Sequence, residues 1–360
     1  MTDAEQMRQR AKSQGPQLFA FETLRPFGEG VAQQAGVALS ALEERDFEDG
    51  EHKVRPLVSV RDRDVYVLQS LNSDAAQTVN DKLCKLLFFI GAVRDAGARS
   101  VTVLAPYLAY SRKDRKTKAR DPVTTRYVAQ LFEAVGTDRI LTMDVHNLAA
   151  YQNAFRCRAE HLEARVLFAD HIATLLDGVS PVVVSPDAGG YKRADAFRQT
   201  LSARLGEDVP MAFMEKQRSE GVIRGKHLAG PVEGRLALIF DDLISTGTTL
   251  MRAANSCREA GAREAWAVAT HGLFYGNGGD ALSAESISRI IITNTVGRLP
   301  GDRKAREKVS VLDAAPLVGE AVRRLHAGES VEELLVEWTQ GVAADSLSKA
   351  ADAMRPVRDN

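Results

Sequence analysis

The chain has 360 residues, 44% hydrophobic and 26% charged, with 47 Lys and Arg against 48 Asp and Glu. That composition suits a globular chain with two cores, and the balanced charge argues against a nucleic-acid binder, which needs a basic surplus to neutralise phosphates. No stretch approaches the ~20 apolar residues of a membrane span, and the polar N-terminus lacks the apolar core of a signal peptide, so a cytoplasmic protein with no membrane partner is expected.

Short β-branched runs alternate with longer amphipathic segments. Strands are predicted at Val65–Gln69, Val101–Ala105, Arg139–Met143, Pro181–Ser185, Leu236–Phe240, Ala265–Thr270 and Arg289–Thr293. Several are continuous apolar runs, as in strands covered on both faces. Helices are predicted at Ala75–Ala96, Thr124–Val135, Ala164–Leu176, Gly190–Leu205 and Thr246–Ala260. Strand, helix, strand at this spacing reads as βαβ units in a parallel sheet. The fold class is α/β, in two tandem halves, each a doubly wound parallel-sheet unit. The halves are placed at 18–163 and 164–327, with terminal extensions 1–17 and 346–360 and a helix at about 328–345 able to pack back on the first half. Cys84, Cys157 and Cys257 form no CxxC pair and are expected to be small buried apolar residues.

The strongest local signal is LALIFDDLISTGTTL, residues 236–250. An apolar strand delivers Asp241 and Asp242, and then Ser245, Thr246, Gly247, Thr248 and Thr249 open a helix. A glycine there lets the backbone close on an anion, the helix N-terminus adds its positive end, and the hydroxyls donate hydrogen bonds. Two ionised carboxylates only accept hydrogen bonds, which suits neighbouring sugar hydroxyls. A capped strand end would explain one such residue but not the acid pair and the Thr-rich loop together.

From Ser111 to Arg120 there are six basic residues and one acid. Alone such a run would be a solvated loop. Close to a strand end carrying Asp144 and His146, it can neutralise a triphosphate, with Arg112 as a planar fork and Lys113 as a point charge. His146 is either a core histidine or a ligand at a strand terminus. Asp187, followed by Ala-Gly-Gly, is either a helix cap or a hard oxygen ligand for magnesium. Lys216 and Arg218, two apart on an extended segment, share a side, and the glycine-bearing stretch after them (Gly221, Gly225, Gly230) looks like a flap able to exclude water.

Segment 236–250 resembles the ribose-phosphate loop of the type I phosphoribosyltransferase fold. FEDGE (Phe47–Glu51), PYLAYSRKDRK (Pro106–Lys116), TMDVH (Thr142–His146), VSPDAGGYKRA (Val184–Ala194), MEKQR (Met214–Arg218), THG (Thr270–Gly272) and TNT (Thr293–Thr295) occur in an order that resembles the ribose-phosphate pyrophosphokinase family, also called phosphoribosyl pyrophosphate synthetases, over about residues 45–335. The resemblance implies two phosphoribosyltransferase-like domains and transfer of the β,γ-diphosphoryl group of MgATP to the anomeric hydroxyl of ribose 5-phosphate, giving phosphoribosyl pyrophosphate and AMP. It implies Lys216 and Arg218 as catalytic residues, and Phe47, Asp49, Glu51, Arg112, Lys113 and His146 as the ATP set. Asp241, Asp242 and Ser245–Thr249 would hold ribose 5-phosphate, while His146 and Asp187 would serve Mg2+. It further implies a homo-oligomer built from dimers, up to a hexamer, with the adenine hairpin reaching across from a neighbouring subunit. A phosphoribosyltransferase using a nitrogen base, and a catalytically silent regulatory homologue, are the competing readings.

The chain departs from the family pattern at Ser245, where a third acid is common, at Lys113, where an amide is usual, and along NLAAYQNAF after His146. Glu332 stands where a small hydroxyl residue helps bind a regulatory phosphate, so weakened phosphate activation and ADP inhibition are expected.

Overall fold

The computed structural model describes residues 15–219, 222–276, 278–297 and 306–340, without the side chains of 215–219 and 222–227. It divides into two units. The first comprises the described residues up to Leu162 with Thr295–Gly297 and Ala315–Leu334; the second runs from Glu163 to Asn294 and takes in the described parts of 298–314 and of the chain from Leu335.

In the first unit, β1 (Gln17–Ala20), β4 (Asp64–Leu68), β5 (Ser100–Leu104), β6 (Arg139–Met143) and β7 (Arg158–Leu162) form a parallel sheet in the order β1-β4-β5-β6-β7, and β2 (Leu42–Asp46) and β3 (His52–Pro56) form a separate antiparallel hairpin. The helices are α1 (Arg25–Gln34), α2 (Val79–Asp95), α3 (Thr124–Ala134) and α4 (Leu148–Ala154). Because side chains alternate along a strand, one face of the sheet gathers Phe19, Val65, Val67, Val101 and Val103 with Leu86, Ile90, Val128 and Phe132 of α2 and α3 in one core. The other face meets α1 so closely that a Cβ on Gly28 would lie 2.4 Å from that of Ala20. α2 begins at Val79 rather than at Ala75. Asp74 Oδ1 accepts from the N–H groups of Ala76 and Gln77, and Thr78 and Asp81 make a reciprocal capping box.

The second unit contains α5 (Arg165–Ala173), β8 (Pro181–Ser185), α6 (Tyr191–Leu205), β9 (Met211–Ser219), β10 (Val222–Ala229), β11 (Leu236–Ile244), α7 (Thr248–Glu259), β12 (Glu264–Gly272), α8 (Gly278–Ser283), β13 (Arg289–Thr293) and β14 (Val309–Leu312). Its seven-stranded sheet has the order β10-β9-β8-β11-β12-β13-β14 and is parallel except for the β9–β10 pair. One face of the sheet packs on α7 through Ile239, Ala267, Leu250 and Ala253. On the other, Phe240 stacks on Phe197 of α6, with centroids 4.3 Å apart, and meets Phe168 of α5 edge-on. Both units are thus α/β with a predominantly parallel sheet and helices on both faces.

Three differences from the sequence reading have local causes. β11 runs through the acid pair to Ile244 because its pairing with β12 continues to Gly272. The helix Ala315–Ala327, placed by the sequence reading in the second half, groups with the first unit, since Gly319 comes so near α1 that a Cβ would be 2.5 Å from Gln34 Cβ. Within 328–345, Trp338 instead belongs to the second unit, where its indole N–H donates to Asp170 Oδ2 at 2.9 Å. Of the cysteines only Cys257 is a core residue, its thiol pushed up to about 12 by burial, whereas Cys84 is exposed on the outer side of α2. No helix among the described residues is long and apolar enough to cross a membrane.

Candidate functional site

β11 extends beyond its β8 neighbour: pairing to β8 ends at Ile239, so the following residues emerge at the carboxyl end of the sheet, where α/β sheets bind ligands. Asp242 is 2% exposed. The first turn of α6 supplies a partner, for Arg193 Nη1 lies 3.0 Å from Asp241 Oδ1 and 3.1 Å from Asp242 Oδ1. Burial, followed by the charge of Asp242, pushes the Asp241 carboxyl well above the usual range, with Arg193 opposing. Asp241 Oδ1 also accepts from the Asp242 N–H at 2.9 Å.

Past the acids, Gly247 adopts the left-handed conformation (φ 72°) and forms the N-cap of α7, with no side chain capping the helix. A Cβ at Gly247 would lie 2.3 Å from Ala281 Cβ, so α8 closes the loop from behind. Thr246 and Thr248 are exposed, their hydroxyls 3.0 Å apart. Ser245 and Thr249 are half-buried on either side. Orphan N–H groups, the positive helix end and two hydroxyls make an anion cradle.

Asp187 follows β8. Its Oδ1 accepts from the Gly190 N–H at 2.9 Å, and its carbonyl accepts from Ser185 Oγ at 2.7 Å. It therefore helps start α6, which accounts for one of its two carboxylate oxygens. Lys216 and Arg218 fall on β9, where their backbones pair with Lys226 and Ile223 of β10; their side chains lie outside the described residues. The stretch read as a flap is β10, the edge strand of this sheet, apart from Gly221, which lies outside the described residues, and Gly230, which follows the strand.

In the first unit, β6 is followed by Asp144, a non-glycine residue at φ 42° that is held by its N–H to Leu162 O at 2.9 Å. The Val145 N–H donates to His161 Nε2 of β7 at 3.2 Å, which leaves His146 exposed at the turn. Asn147 caps α4 with its side-chain oxygen, and its Nδ2 donates to Asp114 Oδ2 at 2.5 Å. The single acid of the basic run is thus what ties that run to the His146 turn. Thr125 Oγ1 donates to the carbonyls of Tyr110 (2.9 Å) and Lys113 (3.1 Å), so the backbone is fastened while Arg112 and Lys113 stay exposed.

At the β2–β3 hairpin, the Phe47 N–H donates to Glu51 O, the Gly50 N–H to Phe47 O, and the Glu51 N–H to Asp49 Oδ1. The Phe47 ring is 39% exposed, with the Arg45 guanidinium 4.9 Å from its centroid.

The first unit therefore brings Arg112, Lys113 and His146 onto linked turns, and the second brings Asp241, Asp242 and the Ser245–Thr249 loop onto one strand end. Arg193, His161 and the Asp114–Asn147 tie were not singled out from sequence. Arg193 carried a signal: a cation in the first turn of a helix opposes the helix dipole and calls for an acidic partner.

Comparison with known proteins places this architecture. Residues 16–136 match the family model described as the N-terminal domain of ribose phosphate pyrophosphokinase, and residues 207–336 match the phosphoribosyl synthetase-associated domain. "Ribose-phosphate pyrophosphokinase 2" of Enterococcus faecalis is 35% identical over 319 residues, covering 88% of this chain and 95% of that protein. The chain belongs to the ribose-phosphate pyrophosphokinase family. The "Ribose-phosphate pyrophosphokinase" of Caldanaerobacter subterraneus is 38% identical over 305 residues, 84% of this chain and 92% of its own. The crystal structure of phosphoribosylpyrophosphate synthetase from Mycobacterium smegmatis superposes with a TM-score of 0.78 at 33% identity, covering 87% of this chain and 99% of that one. The family thus carries the expected fold class, two phosphoribosyltransferase-like α/β units.

A magnesium ion commonly takes one or two protein carboxylates and completes its shell with waters and substrate phosphates. Among the described residues no group of three His, Cys, Asp or Glu could hold a metal. The second oxygen of Asp187 in the second unit, and separately the exposed imidazole of His146 in the first, each suit an ion that arrives with phosphate ligands of its own.

Proposed function

We propose that this chain synthesises phosphoribosyl pyrophosphate by moving the β,γ-diphosphoryl group of MgATP onto the anomeric hydroxyl of ribose 5-phosphate, releasing AMP. The anomeric oxygen attacks the β-phosphorus, and the bond from that phosphorus to the oxygen of the α-phosphate breaks. The loop Ser245, Thr246, Gly247, Thr248 and Thr249 holds the 5-phosphate. Asp241 and Asp242 accept from the ribose hydroxyls, with Arg193 holding the pair together.

On the nucleotide side, Phe47, Asp49 and Glu51 hold adenine, and Arg112, Lys113 and His146 meet the triphosphate. His146 would hold the magnesium of the nucleotide and Asp187 a second ion near the sugar, each with substrate oxygens, and the metal would supply neutralisation of phosphate charge. Lys216 and Arg218 act as the cations that stabilise charge on the transferring group. Catalysis of this kind is positioning and charge stabilisation rather than covalent chemistry. The reading extends to a cytoplasmic homo-oligomer assembled from dimers, up to a hexamer, with a neighbouring subunit's hairpin completing each adenine pocket.

The observation that supports this reading over a base-using transferase is the Asp114–Asn147 tie, which keeps a basic run beside the His146 turn, where the two can serve a triphosphate. A transferase binds the 5-phosphate and the pyrophosphate of its sugar substrate but has no nucleoside triphosphate to meet with a further basic run. The deciding experiment supplies ATP, ribose 5-phosphate and magnesium with no nitrogen base. AMP formation dependent on ribose 5-phosphate is expected, and its absence would refute the proposal.

A further inference from the structure

α2 carries two lysines on its buried side, one turn apart. Lys82 pairs with Asp74 Oδ2 at 2.6 Å. Lys85 is 1% exposed, and its Nζ lies 2.6 Å from Asp46 Oδ1 and 3.9 Å from Glu44 Oε2. Asp46 is the last residue of β2, immediately before Phe47. Its Oδ1 also lies 3.2 Å from His52 Nδ1, on the residue that faces it across the hairpin. Glu44 Oε1 accepts from the Glu22 N–H at 2.7 Å. The hydrogen bond from Lys85 is the chief cause holding the Asp46 carboxyl below the usual range, whereas burial pushes that of Glu44 up.

A lysine is almost never fully buried unless paired, and a well-packed apolar residue in its place is often as stable or more so. What the ammonium adds is direction: it fastens one defined point of β2, adjacent to the turn, onto a helix that is itself locked in the core. Beyond Asp46 the turn is fastened by its own hydrogen bonds, and Phe47, Asp49, Gly50 and Glu51 are all exposed.

We infer that Lys85 is a positioning residue for nucleotide recognition, its buried bond to Asp46 setting where the Phe47–Glu51 turn presents its adenine contacts. This rests on the reading of that turn as the adenine site. Lys85→Met keeps length and suits burial, while Asp46, with a side chain 62% exposed, stays hydrated. Initial rates are measured against MgATP and against ribose 5-phosphate for Lys85→Met, Asp46→Asn, the double variant and Phe47→Ala, with melting temperatures alongside.

Lys85→Met is expected to raise KM for MgATP roughly five- to fiftyfold, and the double variant to be no worse than either single change, because both cut one tie. Turnover at saturating MgATP and KM for ribose 5-phosphate are expected to stay within about twofold, inside the usual additivity error. Unchanged KM for MgATP in Lys85→Met and Asp46→Asn, with a raised value in Phe47→Ala, would overturn the inference and leave the adenine reading intact. A Phe47→Ala enzyme with unaltered KM for MgATP would overturn both. Additive defects, or losses that track melting temperature and strike both substrates alike, would make the pair a structural one and also overturn the inference. Should Lys85→Met not fold, Asp46→Asn carries the same comparison from the exposed side.

Discussion

Arg193 and Asp242, 49 positions apart in the chain, meet at 3.1 Å, and the same guanidinium nitrogen reaches Asp241 at 3.0 Å. Successive strand residues ordinarily point to opposite faces, so one cation gathers two carboxylates that the strand alone would separate. Without it the buried acids lose a counter-charge against each other, and the Asp241 carboxyl, already raised, climbs further. A raised carboxyl loses its ionised, accepting form at a higher pH as the solution is acidified. Arg193→Met is expected to cut kcat/KM for ribose 5-phosphate by the order of 10², the scale of truncating one partner of a buried charge pair. The acid limb of the pH profile should move upward. Rates taken across the acid range decide it, and a limb that stays put counts against the role.

Gly247 combines a left-handed φ with a back wall 2.3 Å from where a Cβ would sit. Gly247→Ala therefore meets both a clash and a backbone cost of about 1–2 kcal/mol. KM for ribose 5-phosphate should rise by roughly tenfold or more, which at 1.4 kcal/mol per decade corresponds to that cost, with KM for MgATP unmoved. Adding Ala281→Gly should recover part of the loss by removing the clash but not the strain. Equal effects on both substrates would point to a global defect instead.

Lys216→Ala should lower turnover by the order of 10²–10³, as loss of one charge-stabilising group does, with little change in ribose 5-phosphate binding. Pre-steady-state or saturating-substrate rates with a parallel binding titration separate the two. Unaltered turnover would remove Lys216 from the catalytic set.

Local features were the ones legible in the sequence. Pro181–Ser185, Arg139–Met143 and Arg289–Thr293 are strands to the residue because each is a compact apolar run with an abrupt polar end. The turn from β11 into α7 was readable because its parts, an acid pair, a glycine and a helix start, are contiguous. The partners that set its electrostatics were not, since Arg193 reaches it only through the packing of α6 beside β11. β2 and β3, read as LEERD and HKVRP, are too charged to score as strands by periodicity. Their order depends on α2, where Lys82 and Lys85 look solvent-facing until acids from other segments arrive. Lysine burial follows from tertiary pairing, which hydropathy along one helix does not contain.

Asp64 joins three elements of the first unit. Its carboxylate lies 2.6 Å from Arg99 Nη2, accepts from Ser100 Oγ at 2.6 Å, and lies 3.3 Å from His326 Nδ1 on the helix Ala315–Ala327. Burial favours the neutral acid, but the contact with His326 and the hydrogen bonds from Arg99 and Ser100 outweigh it and hold the carboxyl far below its usual range. A depressed folded-state value means the stabilisation is fully present above the unfolded pKa and is lost as pH falls through the folded one. Asp64→Asn should cost about 2 kcal/mol near neutrality, the scale of hydrogen bonds to a charged group. The gap to the parent protein should shrink below about pH 4, where the unfolded carboxylate protonates. Urea midpoints at several pH values test this, and a gap that persists unchanged in acid would show that the carboxylate's charge is not the stabilising feature.

The helix Val331–Thr339 sets up the last expectation. Ser330 Oγ accepts from the Glu333 N–H at 3.1 Å, so this hydroxyl is committed to starting the helix, and Glu332 stands exposed in the first turn. A carboxylate suits that position, where the helix end is positive, and for the same reason it occupies the electrostatic place a phosphate would seek. Inorganic phosphate should accordingly give little stimulation of the parent enzyme, and ADP little inhibition beyond competition with MgATP. Glu332→Ser removes the repelling charge and returns a donor, so stimulation by phosphate should increase in that variant while basal turnover is preserved. Rates titrated with phosphate at fixed magnesium and substrates read both effects together. Strong activation of the parent protein, or no gain in the variant, would show that Glu332 does not govern anion binding at this helix.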